Sequence, residues 1–132
     1  MKIKVMSLYV DEQEKALRFY SEVLGFKKKT DVSNGGYRWL TVASREEPEG
    51  AELQLAANTN PAARAYQQAI FQQGQPAALF YVDDVQSEHD RLKGLGVKFT
   101  MPASKVPGST IAVLDDTCGN LIQIVALDRR PS

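Results

Sequence analysis

The chain has 132 residues, 43% of them hydrophobic and 24% charged, and sixteen basic side chains balance sixteen acidic ones. That length suits one domain able to bury roughly two thirds of the surface its unfolded form exposes, and the composition excludes collagen-like, low-complexity and intrinsically disordered chains. A net charge of zero and a pI near 6.6 leave no field of either sign to gather polyanions, so nucleic acid is not an expected partner.

Lys2 to Val10 is a strand candidate rich in β-formers, with Val5, Ser7 and Tyr9 on one face and Met6, Leu8 and Val10 on the other. Asp11 supplies an N-cap oxygen. From Glu12 to Leu24 the apolar residues Ala16, Leu17, Tyr20, Val23 and Leu24 recur at helical spacing, and Gly25 stands where a left-handed C-cap is wanted. Phe26 to Val32 reads as a strand whose run Lys27-Lys28-Lys29 is a solvated edge. Asn34-Gly35-Gly36 signals a tight hairpin, Tyr37 to Ser44 a strand, Arg45 to Gly50 a polar turn and Ala51 to Ala56 a closing strand.

In the connector Asn58 to Gln75, Asn60 is placed to cap a helix with Pro61 at its first position and Gly74 at its end. Ala65, Ala69 and Ile70, or Tyr66 and Phe71, offer alternative inward faces, and the segment reads as a packed linker or as a lid. A second series follows. Ala77 to Val82 is a strand, Asp83 or Asp84 caps a helix carrying Val85, His89, Leu92 and Leu95, and Gly96 ends it. Strands at Val97 to Pro102 and Ser109 to Leu114, a turn at Asp115 to Asn120 and a strand at Leu121 to Leu127 complete the chain.

The two series are one pattern repeated. Tyr9-Val10-Asp11 aligns with Tyr81-Val82-Asp83, Leu24-Gly25-Phe26 with Leu95-Gly96-Val97, and Gly50-Ala51-Glu52-Leu53-Gln54-Leu55 with Gly119-Asn120-Leu121-Ile122-Gln123-Ile124, at a nearly constant offset. The expected organisation is a single domain over 1–132, with a first module at about 1–57, a connector helix at about 58–75 and a second module at about 76–128. A lone cysteine, Cys118, excludes an internal disulfide, and Met1-Lys2 leads into the alternating segment without a long apolar signal region, so the expected location is the cytoplasm. No apolar run approaches the roughly twenty residues that span a bilayer, and no membrane partner is expected.

Paired β-α-β-β-β modules, with Leu24-Gly25-Phe26 after the first helix and Asp115-Asp116-Thr117-Cys118-Gly119-Asn120 before the last strand, resemble the vicinal oxygen chelate superfamily. Its members include glyoxalase I, the bleomycin-resistance proteins and the ring-cleaving dioxygenases. The resemblance extends from about Ile3 to Leu127. It implies an α+β fold in which two tandem βαβββ modules form a curved mixed sheet around a cavity, with helices on the convex face. It also implies, in the enzymes, a divalent metal held through four positions, two in each module. Relatives usually dimerise, so a homodimer is expected.

Carried over one position at a time, the family's first-strand ligand falls on Val5 and its fourth-strand ligand on Gln54, while the second-module positions fall on Ala77 and Gln123. A catalytic divalent ion wants several imidazole, thiolate or carboxylate donors, and these positions carry two neutral amides and two hydrocarbons. No metal and no other cofactor is therefore expected. Glu52 shares the parity of Gln54, yet one carboxylate with two amides would hold a hard cation weakly. The turn also departs from the family, with Thr117-Cys118 where Pro-Asp is common.

Other chemistry is sparse. His89, between Glu88 and Asp90, reads as a solvated or partly packed helix residue, and Cys118 as a small turn residue with no histidine beside it in sequence. There is no glycine-rich phosphate loop, no serine elbow and no carboxylate pair at a convincing spacing. What remains is the cavity wall. If Gln54 faces the cavity, Leu53 and Leu55 face the helices, as do Ile122 and Ile124 opposite Gln123. The wall then holds Val5, Ser7, Gln54, Ala77, Leu79 and Gln123, and helix-facing Leu40 and Val42 turn Tyr37, Trp39 and Thr41 toward it. Such a hollow suits a planar, uncharged or weakly polar small molecule. The leading expectation is a metal-free small-molecule-binding protein with no catalytic residue assigned. One rival is a lyase, isomerase or dioxygenase of the superfamily with relocated ligands such as Glu52 or metal-free acid-base chemistry. Another is a ligand-free interaction protein, in which Trp39 and the glutamines only pack.

Overall fold

The computed structural model describes residues 1–128, so residues 129–132 of the expected domain lie outside the described residues. Its elements run β1 (Val5–Val10), α1 (Gln13–Arg18), which continues as a π-helical turn over Phe19–Val23, β2 (Lys27–Asn34), β3 (Tyr37–Ala43) and β4 (Glu52–Ala57). Then come α2 (Pro61–Gln72), β5 (Pro76–Tyr81), α3 (Val85–Gly94), β6 (Phe99–Val106), β7 (Ser109–Asp115) and β8 (Leu121–Leu127). Contacts divide the chain into two units, one over Met1–Tyr66 and one from Gln67 onward, each with a four-stranded mixed sheet.

In the first unit the strand order is β1-β4-β3-β2, with β1 parallel to β4 and the other pairs antiparallel. Alternation sorts the side chains: Leu8, Val10, Leu40, Val42 and Leu55 are almost wholly buried and share one face. Ala16, Phe19 and Tyr20 of the helical segment are buried as well. The π turn accounts for the two adjacent rings, because its wider winding lets consecutive residues Phe19 and Tyr20 both turn inward, edge to face with centroids 5.6 Å apart. Gln13 fastens the start of α1 by donating from Nε2 to the carbonyls of Arg38 (3.0 Å) and Leu55 (2.9 Å). Gly35 and Gly36 both have positive φ, as a two-residue type I′ hairpin loop requires between Asn34 and Tyr37.

Two expectations for this half need correction. The helix begins at Gln13, so Asp11 lies one residue too early to cap it; Glu12 occupies the cap position without a side-chain bond, and Asp11 pairs with Lys15 at 3.1 Å. The first strand begins at Val5 rather than Lys2, because its partner β4 begins at Glu52, directly opposite Val5. The lysine run does lie on the outer strand β2. A register shift between Lys28 and Thr30 frees Lys29, which donates to the Pro48 carbonyl at 2.8 Å.

The second unit repeats the order as β5-β8-β7-β6, with Ala112, Leu114, Ile122 and Ile124 on the buried face. Of the two candidate caps for α3 it is Asp84 that accepts from the Ser87 amide, at 3.1 Å. Leu95, expected on the inner helix face, instead follows the last turn and is 58% exposed. Asn60 caps α2 as expected, accepting from the Ala62 amide at 2.8 Å. The buried line of α2 differs from both proposed faces: Gln67 is its buried residue, flanked by half-buried Ala63, Ile70 and Phe71, while Ala65, Tyr66 and Ala69 are exposed. The reason is polar. Gln67 Nε2 donates to the Cys118 carbonyl (3.2 Å) and to Asn120 Oδ1 (3.1 Å) in the β7–β8 turn.

That turn is built around Asp116, which is fully buried. Its carboxylate accepts from the amides of Cys118 (2.7 Å) and Asn120 (3.0 Å) and from Asn120 Nδ2 (2.9 Å), while Thr117 takes a left-handed φ of 63°. Removing the carboxylate strands three buried N–H donors, each costly to leave unmade. Asp116→Ala is therefore expected to lower unfolding stability by about 3 kcal/mol in urea titrations, and a loss below about 1 kcal/mol would contradict this role.

Candidate functional site

The face of the first sheet opposite its buried set carries Val5, Ser7 and Tyr9 on β1, Glu52 and Gln54 on β4, and Tyr37, Trp39 and Thr41 on β3. Strand register sets Ser7, Gln54 and Thr41 side by side across three strands. Hydrogen bonds then join them in two groups. Ser7 Oγ donates to Gln54 Oε1 at 2.5 Å, and Gln54 Nε2 donates to the Tyr37 hydroxyl at 2.9 Å. Beside them Thr41 Oγ1 donates to Glu52 Oε1 at 2.7 Å.

Burial grades across this face. Thr41 is fully buried and Gln54 nearly so, Val5, Trp39 and Glu52 are half-buried, and Ser7 and Tyr37 are exposed. The Tyr37 oxygen accepts from Gln54, which leaves its own O–H proton to donate outward. The amide of Gln54 is thus held at both ends in one orientation. Parity alone brings Tyr37, Trp39 and Thr41 to the face, and the structure places them there. The Gln54–Tyr37 and Thr41–Glu52 bonds were not anticipated from sequence; the shared parity of Tyr37 with Thr41, and of Glu52 with Gln54, is the signal that points to them.

In the second unit the matching row is Leu79, Gln123 and Val113. Leu79 is 53% exposed and Gln123 half-buried, and the neighbours of Gln123 in the sheet are hydrocarbons where those of Gln54 are hydroxyls. Ala77 lies in a register irregularity between Pro76 and Ala78, so it has no ladder partner on β8. His89 sits within α3 with its ring 4.4 Å from that of Phe99, and Cys118 is fully buried in the turn. Among the described residues no three His, Cys, Asp or Glu side chains gather closely enough to hold a metal ion, and no helix is long and apolar enough to cross a membrane.

Known proteins share this plan. The sequence profile of the Glyoxalase/Bleomycin resistance protein/Dioxygenase superfamily matches residues 2–124. YurT, an uncharacterized protein of Bacillus subtilis (strain 168), is 54% identical over 125 residues, which is 95% of this chain and 98% of that protein. The crystal structure of UcmS2 matches with a TM-score of 0.82 at 28% identity, covering 95% of this chain and 97% of the other. TnmS3, an antibiotic binding protein from Streptomyces sp. CB03234, matches with a TM-score of 0.78 at 26% identity, covering 97% of each chain. With its two βαβββ units and a profile match over nearly its whole length, the chain belongs to the glyoxalase/bleomycin resistance protein/dioxygenase superfamily.

Proposed function

We propose that this protein binds a planar, apolar or weakly polar small molecule without a catalytic metal, using the face of its first sheet that carries Trp39. The observation that carries this reading is the Ser7–Gln54–Tyr37 hydrogen-bonded set, which holds an exposed phenol in place two residues from the half-buried indole of Trp39. Rings supply contact area and the fixed hydroxyl supplies orientation, the combination that small-molecule sites use. The likeness to TnmS3, an antibiotic binding protein, supports the same class of function. Val5, Ser7, Tyr37, Trp39, Thr41 and Gln54 form the ligand-binding set of the first module, and Ala77, Leu79 and Gln123 occupy the corresponding positions of the second.

The superfamily's divalent metal does not fit these residues. Val5 and Ala77 offer no donor, and Gln54 already accepts from Ser7 and donates to Tyr37, so its amide is committed within the sheet. Glu52 is the nearest carboxylate, and Thr41 holds one of its oxygens. Purified protein is expected to contain no stoichiometric Zn, Ni, Mn or Fe by elemental analysis. About one equivalent of metal that is lost in Gln54→Ala/Gln123→Ala would overturn the metal-free reading.

Binding is tested through Trp39, the single tryptophan of the chain. A planar apolar ligand is expected to quench or shift its fluorescence, and Trp39→Ala to weaken that ligand by about 1 to 3 kcal/mol, the scale of a lost aromatic contact. A folded Trp39→Ala variant that binds every hit as tightly as the parent would remove Trp39 from the site. Gln54→Leu keeps approximate volume but releases Tyr37, so it should change which ligands are preferred. Its stability cost should stay below about 1.5 kcal/mol because the partner hydroxyls regain water, whereas Leu40→Ala in the core should cost about 3 kcal/mol.

The protein acts, on this reading, as a cytoplasmic homodimer. Exposed Tyr9 and Val32 leave apolar surface on the first sheet that association would cover. Light scattering is expected to give twice the 14.6 kDa chain mass at micromolar concentration, and the monomer mass would contradict it.

A further inference from the structure

The second unit contains a cleft of about 440 Å³ between α3 and the start of β6, lined by His89, Lys93, Val97, Lys98, Phe99 and Pro102. None of these residues belongs to the ligand set proposed above. The repeat explains why the space is open. Gly25 and Gly96 are equivalent left-handed turn residues, with φ of 92° and 88°, and Phe26 follows the first where Val97 follows the second. In the first unit the Phe26 ring stacks on the buried Tyr20 ring, with centroids 6.4 Å apart. In the second unit the smaller valine fills less of that volume. β6 also loses register twice, between Phe99 and Met101 and between Met101 and Ser104, which leaves Pro102 outside the ladder. A strand bulged in this way bends, and beside α3 it leaves the gap unfilled.

The lining sorts into two kinds of surface. Val97, Phe99 and Pro102 with the His89 ring make an apolar, partly aromatic floor; Lys93 and Lys98 stand at the rim, exposed and in no ion pair among the described residues. No carboxylate lines the cleft. Asp90, three residues before Lys93 on α3, is engaged by Gln86 Nε2 at 3.0 Å and by His89 Nδ1 at 3.2 Å and feels the Lys93 charge as well. Two ammonium groups over an apolar floor match a molecule that joins a flat hydrocarbon to one negative charge, and the volume falls in the range of about 300 to 1,000 Å³ used for small ligands. Charge alone would not hold such a molecule at exposed lysines, and apolar contact alone would not select its charge. We propose that this cleft binds a small aromatic carboxylate, its ring on Phe99, Val97 and Pro102 and its carboxylate between Lys93 and Lys98.

The test titrates isotope-labelled protein with 1-naphthoate, and in parallel with neutral 1-naphthamide and with inorganic phosphate, following backbone amide shifts and Trp39 fluorescence. Naphthoate is expected to shift the amides of Lys93 and of residues 97–99 and, by those amides, to bind at least about tenfold more tightly than either comparison compound, while Trp39 emission reports separately on the other face. Lys93→Gln/Lys98→Gln should weaken naphthoate about tenfold while leaving naphthamide unaffected. Val97→Phe, which restores the ring of the first module, should block both; if that variant does not fold, the lysine pair decides. Equal affinity for naphthoate and naphthamide, phosphate binding as tight as naphthoate, or shifts confined to residues outside the cleft would each overturn the proposal. Since Trp39 lies in the first sheet, its response separates this cleft from the ligand face proposed above, and either can fail alone.

Discussion

A strand whose one face is buried has no freedom over what its other face displays. In the first module Leu8, Val10, Leu40, Val42 and Leu55 are 5% exposed or less, and each such burial is worth about 1.5 to 3 kcal/mol against leaving the side chain in water. A slip of one residue in β1, β3 or β4 would turn that strand's share of the core outward, so the apolar face fixes which side chains each of these strands shows on its other face. Ser7, Gln54, Thr41, Tyr37 and Trp39 occupy the opposite face as a geometric consequence. Their chemistry is therefore free to change without a change of fold, which is what a scaffold for different ligands needs.

The two modules show that freedom within one chain. Their glycines, strand orders and buried faces correspond, yet the central row reads Ser7–Gln54–Thr41 in one and Leu79–Gln123–Val113 in the other. Only the first row has hydroxyls on both sides of its glutamine, with Ser7 bonded to it and Thr41 bonded to Glu52. The same divergence appears beside the helices, where Phe26 stacks on Tyr20 in the first module and Val97 leaves a cleft in the second. At Gly25 and Gly96 the repeat keeps both residue and backbone geometry, whereas of the aligned pair Gly50 and Gly119 only Gly119 has a positive φ. Where it lets a residue vary, surface chemistry follows.

What the sequence made legible follows the same division. Turn glycines, the Asn60–Pro61 helix start and the parity of Leu40 and Val42 against Trp39 could be read because each depends on one or two neighbouring residues. The buried side of α2 could not, since it is set by Gln67 reaching a turn some fifty positions away, and hydrophobic spacing carries no trace of that bond. The cap of α1 falls on Glu12, one residue after Asp11, because the helix begins at Gln13, and Asp11 pairs with Lys15 instead. The π turn was also hidden: a helix that buries both Phe19 and Tyr20 has the same apolar count as one that buries only Tyr20. On the candidate face, parity placed the side chains but not the bonds between them.

Those bonds narrow the chemistry that the face offers. A general base needs a titratable acceptor; the Gln54 amide is not one, and the carboxylate of Glu52 is tied at one oxygen by Thr41. The network ends instead on a donor, because the Tyr37 oxygen accepts from Gln54 and its proton points away from that bond. A donor fixed at an exposed position selects a ligand by a carbonyl or ether oxygen, and it disfavours one that meets it with hydrocarbon, since the hydroxyl would then be desolvated without a partner. On the proposed reading, the preference falls on flat molecules that bring an acceptor to Tyr37 and a ring to Trp39. On that reading it depends on the orientation that Ser7 imposes on Gln54, so a hydrogen bond within the sheet as well as the Trp39 ring governs which ligand is taken.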